Sequence, residues 1–318
     1  MITETRFAYR FAGITLSSEV ELPGLSAAGQ VDSPEVTIRL RPIMERHDCP
    51  TLGRCELLPD GVLALDLPPV ARILLSVARS EIVVEHFPGA TESALRHVVV
   101  DLALPRWFAA IGRPSLHATA VAVDGGVVAF LGESGMGKST LSGAMVANGA
   151  SWVADDLLLL DFEGPDVVVI PTVVSTRLRP DSARALNAAD RDGQIISTYD
   201  AKRRWNVPST VDRHRLLCMF FLDRRQDDDG SISVEEVSNG EAIKQLAEHW
   251  LLTHTGLVDS RNFFTSTATL LRSTRMLRLS YPSSFDALPS VVRSIGLEAT
   301  PSSICRGGKV PRTFRLEN

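Results

Sequence analysis

Gly132-Glu133-Ser134-Gly135-Met136-Gly137-Lys138-Ser139 matches the spacing G-x-x-x-x-G-K-[ST] in full. The flanks give the pattern its meaning. Val127–Leu131 (VVAFL) is an unbroken apolar run of strand length, and Thr140–Asn148 reads as a helix with Gly149 placed to end it. A strand, a glycine-rich turn and a helix in that order make an anion site. The turn aims successive backbone N–H groups inward, and the helix N-terminus adds partial positive charge at the same point. Gly132, Gly135 and Gly137 permit dihedrals that side chains disfavour and let phosphate oxygens approach the backbone. Lys138 is a mobile point charge for the β- and γ-phosphates, and the Ser139 hydroxyl is a natural magnesium ligand. These eight residues, with Thr140 after them, are the candidate contacts for ATP and Mg2+. The plain alternative is a glycine-rich start of a helix with no ligand, and the correctly ordered flanks argue against it.

One βαβ unit further on, Trp152–Ala154 is a strand candidate that ends in Asp155-Asp156. This predicts two carboxylates beside the loop strand at the carboxyl edge of the sheet, where open α/β folds bind ligands. One carboxylate can hold magnesium and the other can accept the proton of an attacking hydroxyl. An acidic strand end facing solvent is the alternative. On the other side, His117-Ala-Thr-Ala-Val121 opens the strand before the loop hairpin, predicted over His117–Val123. A lone histidine there is ordinarily structural.

Upstream, the chain reads differently. Phe7–Phe11, Glu35–Leu40, Gly61–Leu67 and Ile82–Glu85 are strand candidates, with Pro-Asp-Gly at 59–61 marking a turn. Residues 1–90 are therefore expected to form a mostly antiparallel β domain. Leu95, Val98, Val99, Leu102, Leu104 and Trp107 recur at helical spacing, which predicts one long helix over Thr91–Ile111 ending at Gly112. The second domain is expected over 91–300, followed by an irregular tail over 301–318. Residues 182–206 are polar without clear periodicity and read as a loop. Gln226–Ser231 is an acidic turn, and Gly240–Leu252 a helix.

Composition sets outer bounds. The 318 residues favour two domains, and 44% hydrophobic with 22% charged residues is ordinary for a globular chain. A formal net charge of −5 argues against a general nucleic-acid binder. Cys49, Cys55, Cys218 and Cys305 show no C-x-x-C pair and read as free thiols of a reducing compartment. There is no signal-like apolar stretch in Met1–Arg10, and no apolar run approaches the ~20 residues of a membrane span. A cytoplasmic location without membrane partners is expected.

Taken together, His117, the strand pair, Gly132–Ser139 and Val153-Ala-Asp155-Asp156 resemble the catalytic domain of HPr kinase/phosphorylase. They are similar above all to the HPr-kinase-like proteins, some of which are found with lasso-peptide biosynthesis and phosphorylate a precursor peptide. Tyr9-Arg-Phe-Ala-Gly-Ile and a Tyr281-Pro segment extend the resemblance, although the specific motifs lie within 116–156. The glycine-rich E-[LIV]-R-G-x-G segment of the bifunctional enzyme has no counterpart here, so the resemblance is to the kinase-like group. It implies an α/β fold, a P-loop kinase domain of the HPr kinase type with a smaller N-terminal α+β domain. It also implies a homo-oligomer and a serine kinase acting on a peptide or protein. Phosphate binding would fall to Gly132–Ser139 (the Walker A loop), with Lys138, Asp155 and His117 as catalytic residues. Asp155 would be the base, His117 would lie near the active site, and Ser139 and Asp156 would hold the metal.

Several further residues admit more than one role. Lys202-Arg203-Arg204 reads equally as a phosphate clamp or a solvated run. Arg177 and Arg179 (TRLRP) follow a strand candidate, and a phosphate-facing role is the less favoured reading for them. Trp205, Trp250 and Leu251–Leu252 read as core. The competing functions are a nucleotide hydrolase that drives a partner, a regulator that binds nucleotide without chemistry, and a small-molecule kinase. Neither an L-S-G-G-Q-like helix nor an N-K-x-D guanine reader is present.

Overall fold

The computed structural model describes residues 6–29, 31–43, 53–172, 175–186, 194–195, 203–205, 210–225, 231–255, 259–299 and 312–314. Lys202, Cys49, Cys305, most of 182–206, all of 226–230 and most of the tail lie outside the described residues, as do the side chains of Arg203 and Arg204. The chain divides into two compact units. One comprises residues 1–113 with 195–200 and 251–259; the other comprises 114–194, 201–250 and 260–318.

The first unit is built on strands β1 (Phe7–Phe11), β2 (Ile14–Ser18), β3 (Ser26–Ala27), β4 (Val36–Pro42), β5 (Cys55–Leu57), β6 (Leu63–Leu67), β7 (Ala71–Ser76) and β8 (Glu81–His86). They form one eight-stranded sheet in the order β3-β1-β2-β4-β8-β7-β6-β5. The hairpins are antiparallel, but β2–β4 and β4–β8 are parallel, which period-two alternation alone does not specify. Alternation along β2 and β4 buries Leu16, Val36 and Ile38.

A helical run follows, and the sequence reading placed it with the second domain. It belongs to the first unit because its apolar face packs on that sheet, with the Phe11 and Phe108 rings 5.9 Å apart. It is also not a single regular helix. Helix α1 (Glu92–His97) passes into a π-helical stretch over Val98–Ala103 and then into α2 (Leu104–Ala110). Pro105 sits in the first turn of α2, where it has no N–H to donate backwards, and the N–H of Leu104 reaches Val99 O. The run ends at Gly112, which is left-handed at φ 83°.

The remaining elements are β9 (Ser115–Leu116), β10 (Thr119–Val123), β11 (Gly126–Leu131), α3 (Lys138–Ala147), β12 (Ser151–Ala154), β13 (Leu158–Glu163), β14 (Asp166–Ile170), β15 (Thr176–Leu178), α4 (Pro180–Ala185), β16 (Gln194–Ile195), β17 (Arg203–Trp205), β18 (His214–Arg225), β19 (Ile232–Glu236), α5 (Asn239–His249), α6 (Ser260–Ser273), β20 (Arg275–Pro282), α7 (Leu288–Glu298) and β21 (Arg312–Phe314). The main sheet of the second unit has ten strands. Its centre is parallel, with β11 on β18 and β18 on β20, so three carboxyl ends lie side by side. Strand β18 is shared. Its first residues pair with β14, and Cys218–Arg225 pair with β20. β21, within the stretch read as an irregular tail, pairs with β19.

Two features of this sheet differ from what the sequence predicts. The strand read over His117–Val123 is broken at His117–Ala118, because β9 pairs with β13 while β10 pairs with β11 and β12. In addition, β12 is not the neighbour of β11. β10 lies between them, so the paired aspartates leave the sheet one strand further from the loop than expected.

The core of this unit contains Val128, Phe130, Leu141, Met145, Trp152 and Phe220, together with Leu279, Val291 and Ile295. The Phe130 and Phe220 rings stack 5.9 Å apart. Each aromatic ring removed from water contributes about 2–3 kcal/mol. Trp205 packs with Leu178 and Ala183 in a smaller cluster, and Trp250 and Leu252 are buried. Cys55 and Cys218 carry free thiols. Among the described residues no helix is long and apolar enough to cross a membrane.

Candidate functional site

The loop between β11 and α3 is shaped by two glycines. Gly135 (φ 92°) and Gly137 (φ 95°) lie in the left-handed region, which only glycine occupies freely. Gly137 immediately precedes α3. Gly137 has no side chain with which to cap that helix, and the positive end of α3 faces the loop. Glu133, Ser134 and Gly135 are exposed on the outer turn. Lys138 is buried at 6% exposure, and its ammonium donates to the carbonyls of Gly132 at 2.6 Å and Glu133 at 3.2 Å. Thr140 points elsewhere, with its hydroxyl donating to Ser182 Oγ at 2.9 Å.

Asp155 meets this loop directly. Ser139 donates to Oδ1 of Asp155 at 3.1 Å. The other oxygen, Oδ2, accepts from the Thr176 hydroxyl at 2.7 Å and from the Arg177 backbone N–H at 3.2 Å. Burial pushes the Asp155 carboxyl up to about 6, and the charge of Asp156 pushes the same way. The donors from Thr176 and Arg177 hold it from rising further.

Asp156 takes a separate path. Its backbone is left-handed at φ 64°, a conformation aspartate tolerates, and its carboxylate pairs with the Arg177 guanidinium. Both side chains are largely buried, at 13% and 14% exposure. His117 Nδ1 lies 3.3 Å from the Asp156 carbonyl oxygen and 3.9 Å from Oδ1. The backbone N–H of His117 donates to His249 O at 2.8 Å, which ties the break between β9 and β10 to the end of α5. The His249 ring is itself held neutral. Burial lowers its pKa to about 4, and the nearby charges of His117 and Lys138 add to that.

Lys138, Ser139, Asp155 and, through Asp156, His117 are thus brought into one place. Ser139 and Asp156, read together as metal ligands, are not. Asp155 takes the position beside Ser139, because the left-handed turn at Asp156 directs its carboxylate to Arg177. Thr176 and His249 carry no signal in the sequence, and a site role for Arg177 is the less favoured reading there. Strand β17 pairs with β15, setting the backbone of Arg204 opposite Arg177. Arg179 immediately precedes α4.

The donor set fits a polyphosphate with magnesium. It offers uncapped helix N–H groups, a lysine within reach of the loop, and a hydroxyl beside a carboxylate. Among the described residues no three His, Cys, Asp or Glu side chains cluster as a metal site of their own.

No family model matches the chain, and no curated protein matches it. Among solved structures, the Hpr(Ser) kinase/phosphatase from Coxiella burnetii is similar at 16% identity. The alignment covers 58% of this chain and 97% of that one, with a TM-score of 0.30.

Proposed function

We propose that the chain is an ATP- and magnesium-dependent kinase that transfers the γ-phosphoryl group to a serine hydroxyl of a peptide or protein. The observation that carries this reading is the Asp155 carboxylate on the Ser139 hydroxyl, beside a glycine loop that opens an uncapped helix. The loop from Gly132 to Ser139 and the start of α3 would hold the phosphates, with Lys138 moving from its own loop carbonyls to the β- and γ-oxygens. The Ser139 hydroxyl would hold Mg2+, which when bound neutralises charge on the phosphates.

In the transfer step the acceptor serine oxygen bonds to the γ-phosphorus and the bond to the β–γ bridging oxygen breaks. The serine proton passes to Asp155, and ADP leaves. A carboxyl poised near 6 is a better proton acceptor than an ordinary aspartate. Arg177 holds Asp156, which in turn meets His117, so this triple would position the acceptor side of the site.

The test is transfer of label from γ-labelled ATP in magnesium buffer to serine-bearing candidate peptides, with Lys138→Ala as control. Label on a peptide serine that is lost in the control supports the proposal. Label released only as free phosphate, whatever the acceptor, moves the reading to a nucleotide hydrolase. Label on a small hydroxyl compound makes it a small-molecule kinase.

A further inference from the structure

Arg224 and Tyr281 are register partners at the ends of the parallel strands β18 and β20. Both reach the same loop. The Tyr281 hydroxyl donates to the carbonyl of Met136 at 2.7 Å, and the Arg224 guanidinium donates to the carbonyl of Gly135 at 3.4 Å. Two successive carbonyls are therefore drawn to one side by two neighbouring strand ends.

A peptide group is planar and trans, so fixing a carbonyl fixes the following N–H in the opposite direction. With the Met136 carbonyl held on Tyr281, the N–H of Gly137 points away from Tyr281. Gly137 is the residue immediately before α3, so its N–H stands beside the backbone donors at the helix start. The fit is close, since a Cβ on Gly137 would stand 3.0 Å from the Tyr281 hydroxyl oxygen. Tyr281 is buried at 4% exposure, and its hydroxyl is pushed up to about 12, chiefly by burial, so it remains a donor at any working pH.

We propose that Tyr281, braced by Arg224, is the positioning residue of the phosphate loop, holding the Met136–Gly137 peptide in the orientation that binds a nucleotide phosphate. The inference rests on the phosphate-loop reading above. It adds a residue 145 positions from the loop in sequence, one that touches loop backbone rather than ligand.

The experiment is a calorimetric titration of the full chain with MgADP, for wild type, Lys138→Ala, Tyr281→Phe and Arg224→Met. It is joined by steady-state kinetics in ATP and melting without nucleotide. Loss of one neutral hydrogen bond predicts about three- to tenfold weaker MgADP binding for Tyr281→Phe. Arg224→Met is expected to show a smaller loss in the same direction. Because the loop and not the chemistry is disturbed, KM for ATP rises more than kcat falls. Wild-type affinity in a folded Tyr281→Phe protein overturns the proposal and leaves the phosphate-loop reading standing. If Tyr281→Phe does not fold, unchanged affinity in Arg224→Met overturns it instead. If wild type does not bind MgADP, or binds it no better than Lys138→Ala, the phosphate-loop reading fails and the proposal falls with it.

Discussion

Ser139 donates its hydroxyl proton to Asp155 at 3.1 Å, joining the first turn of α3 to the end of β12. Asp155→Asn keeps the shape and can still accept from Thr176 and Arg177, but it cannot take up a proton. Nucleotide binding is expected to persist, while phosphoryl transfer falls by about 10²- to 10⁴-fold. Single-turnover transfer from γ-labelled ATP, set beside a binding titration, measures both. Transfer at the wild-type rate would remove Asp155 as the base.

Arg177 and Asp156 pair where little water reaches either side chain. Removing one partner of such a pair costs more than removing both, because a charge is left without its counter-charge. Arg177→Met is expected to lower stability by roughly 2–4 kcal/mol, and the double variant with Asp156→Asn by less than the sum of the singles. Urea midpoints for the four proteins close the cycle. Strict additivity would mean that the two groups do not support each other.

His249 makes the protein sensitive to acid. Burial holds its pKa near 4 in the folded chain, against 6.5 for an imidazole in water, so between those values the unfolded chain binds more protons. The penalty is absent above pH 6.5, grows as pH falls, and is complete below 4. At full extent it amounts to about 3 kcal/mol. Stability curves at pH 7.5 and pH 5 for wild type and His249→Gln test this, and the variant should show the shallower dependence. Parallel curves would show that His249 titrates normally.

Gly135 and Gly137 share a left-handed backbone but differ in what surrounds them. A Cβ on Gly135 meets nothing within 4 Å, whereas one on Gly137 meets Tyr281 at 3.0 Å. Gly135→Ala is expected to cost about 1 kcal/mol, from backbone strain alone. Gly137→Ala should cost more, and it should also weaken MgADP binding by displacing the Tyr281 hydroxyl. Thermal melts with and without MgADP separate the two effects, and equal behaviour of the variants would show that the Tyr281 contact carries no weight.

The parts of the site that the sequence revealed are those close together along the chain. VVAFL, the glycine turn and the helix after it are local signals, and the structure places strand, loop and helix there as β11, the turn and α3. Asp155 was legible because a short strand separates it from α3. Thr176, His249 and the Tyr281 contact with the loop were not. A threonine, a histidine or a tyrosine at an element's end looks the same whether or not a distant loop needs it. The partner of Arg177 lies 21 residues away and depends on the left-handed turn at Asp156, so nothing local separated it from a solvated arginine. In the first unit, the strand runs were visible but the parallel joints at β4 were not, since period-two alternation is silent about direction.

The Tyr281 hydroxyl reaches a loop made 145 residues earlier. During synthesis the glycine turn and α3 leave the ribosome long before β20 exists to meet them. A nascent chain that stops short of β20 carries the whole motif, yet it lacks the strand end that holds the loop's backbone. On the proposed reading, the loop's full affinity for nucleotide is therefore expected only once β20 has joined the sheet.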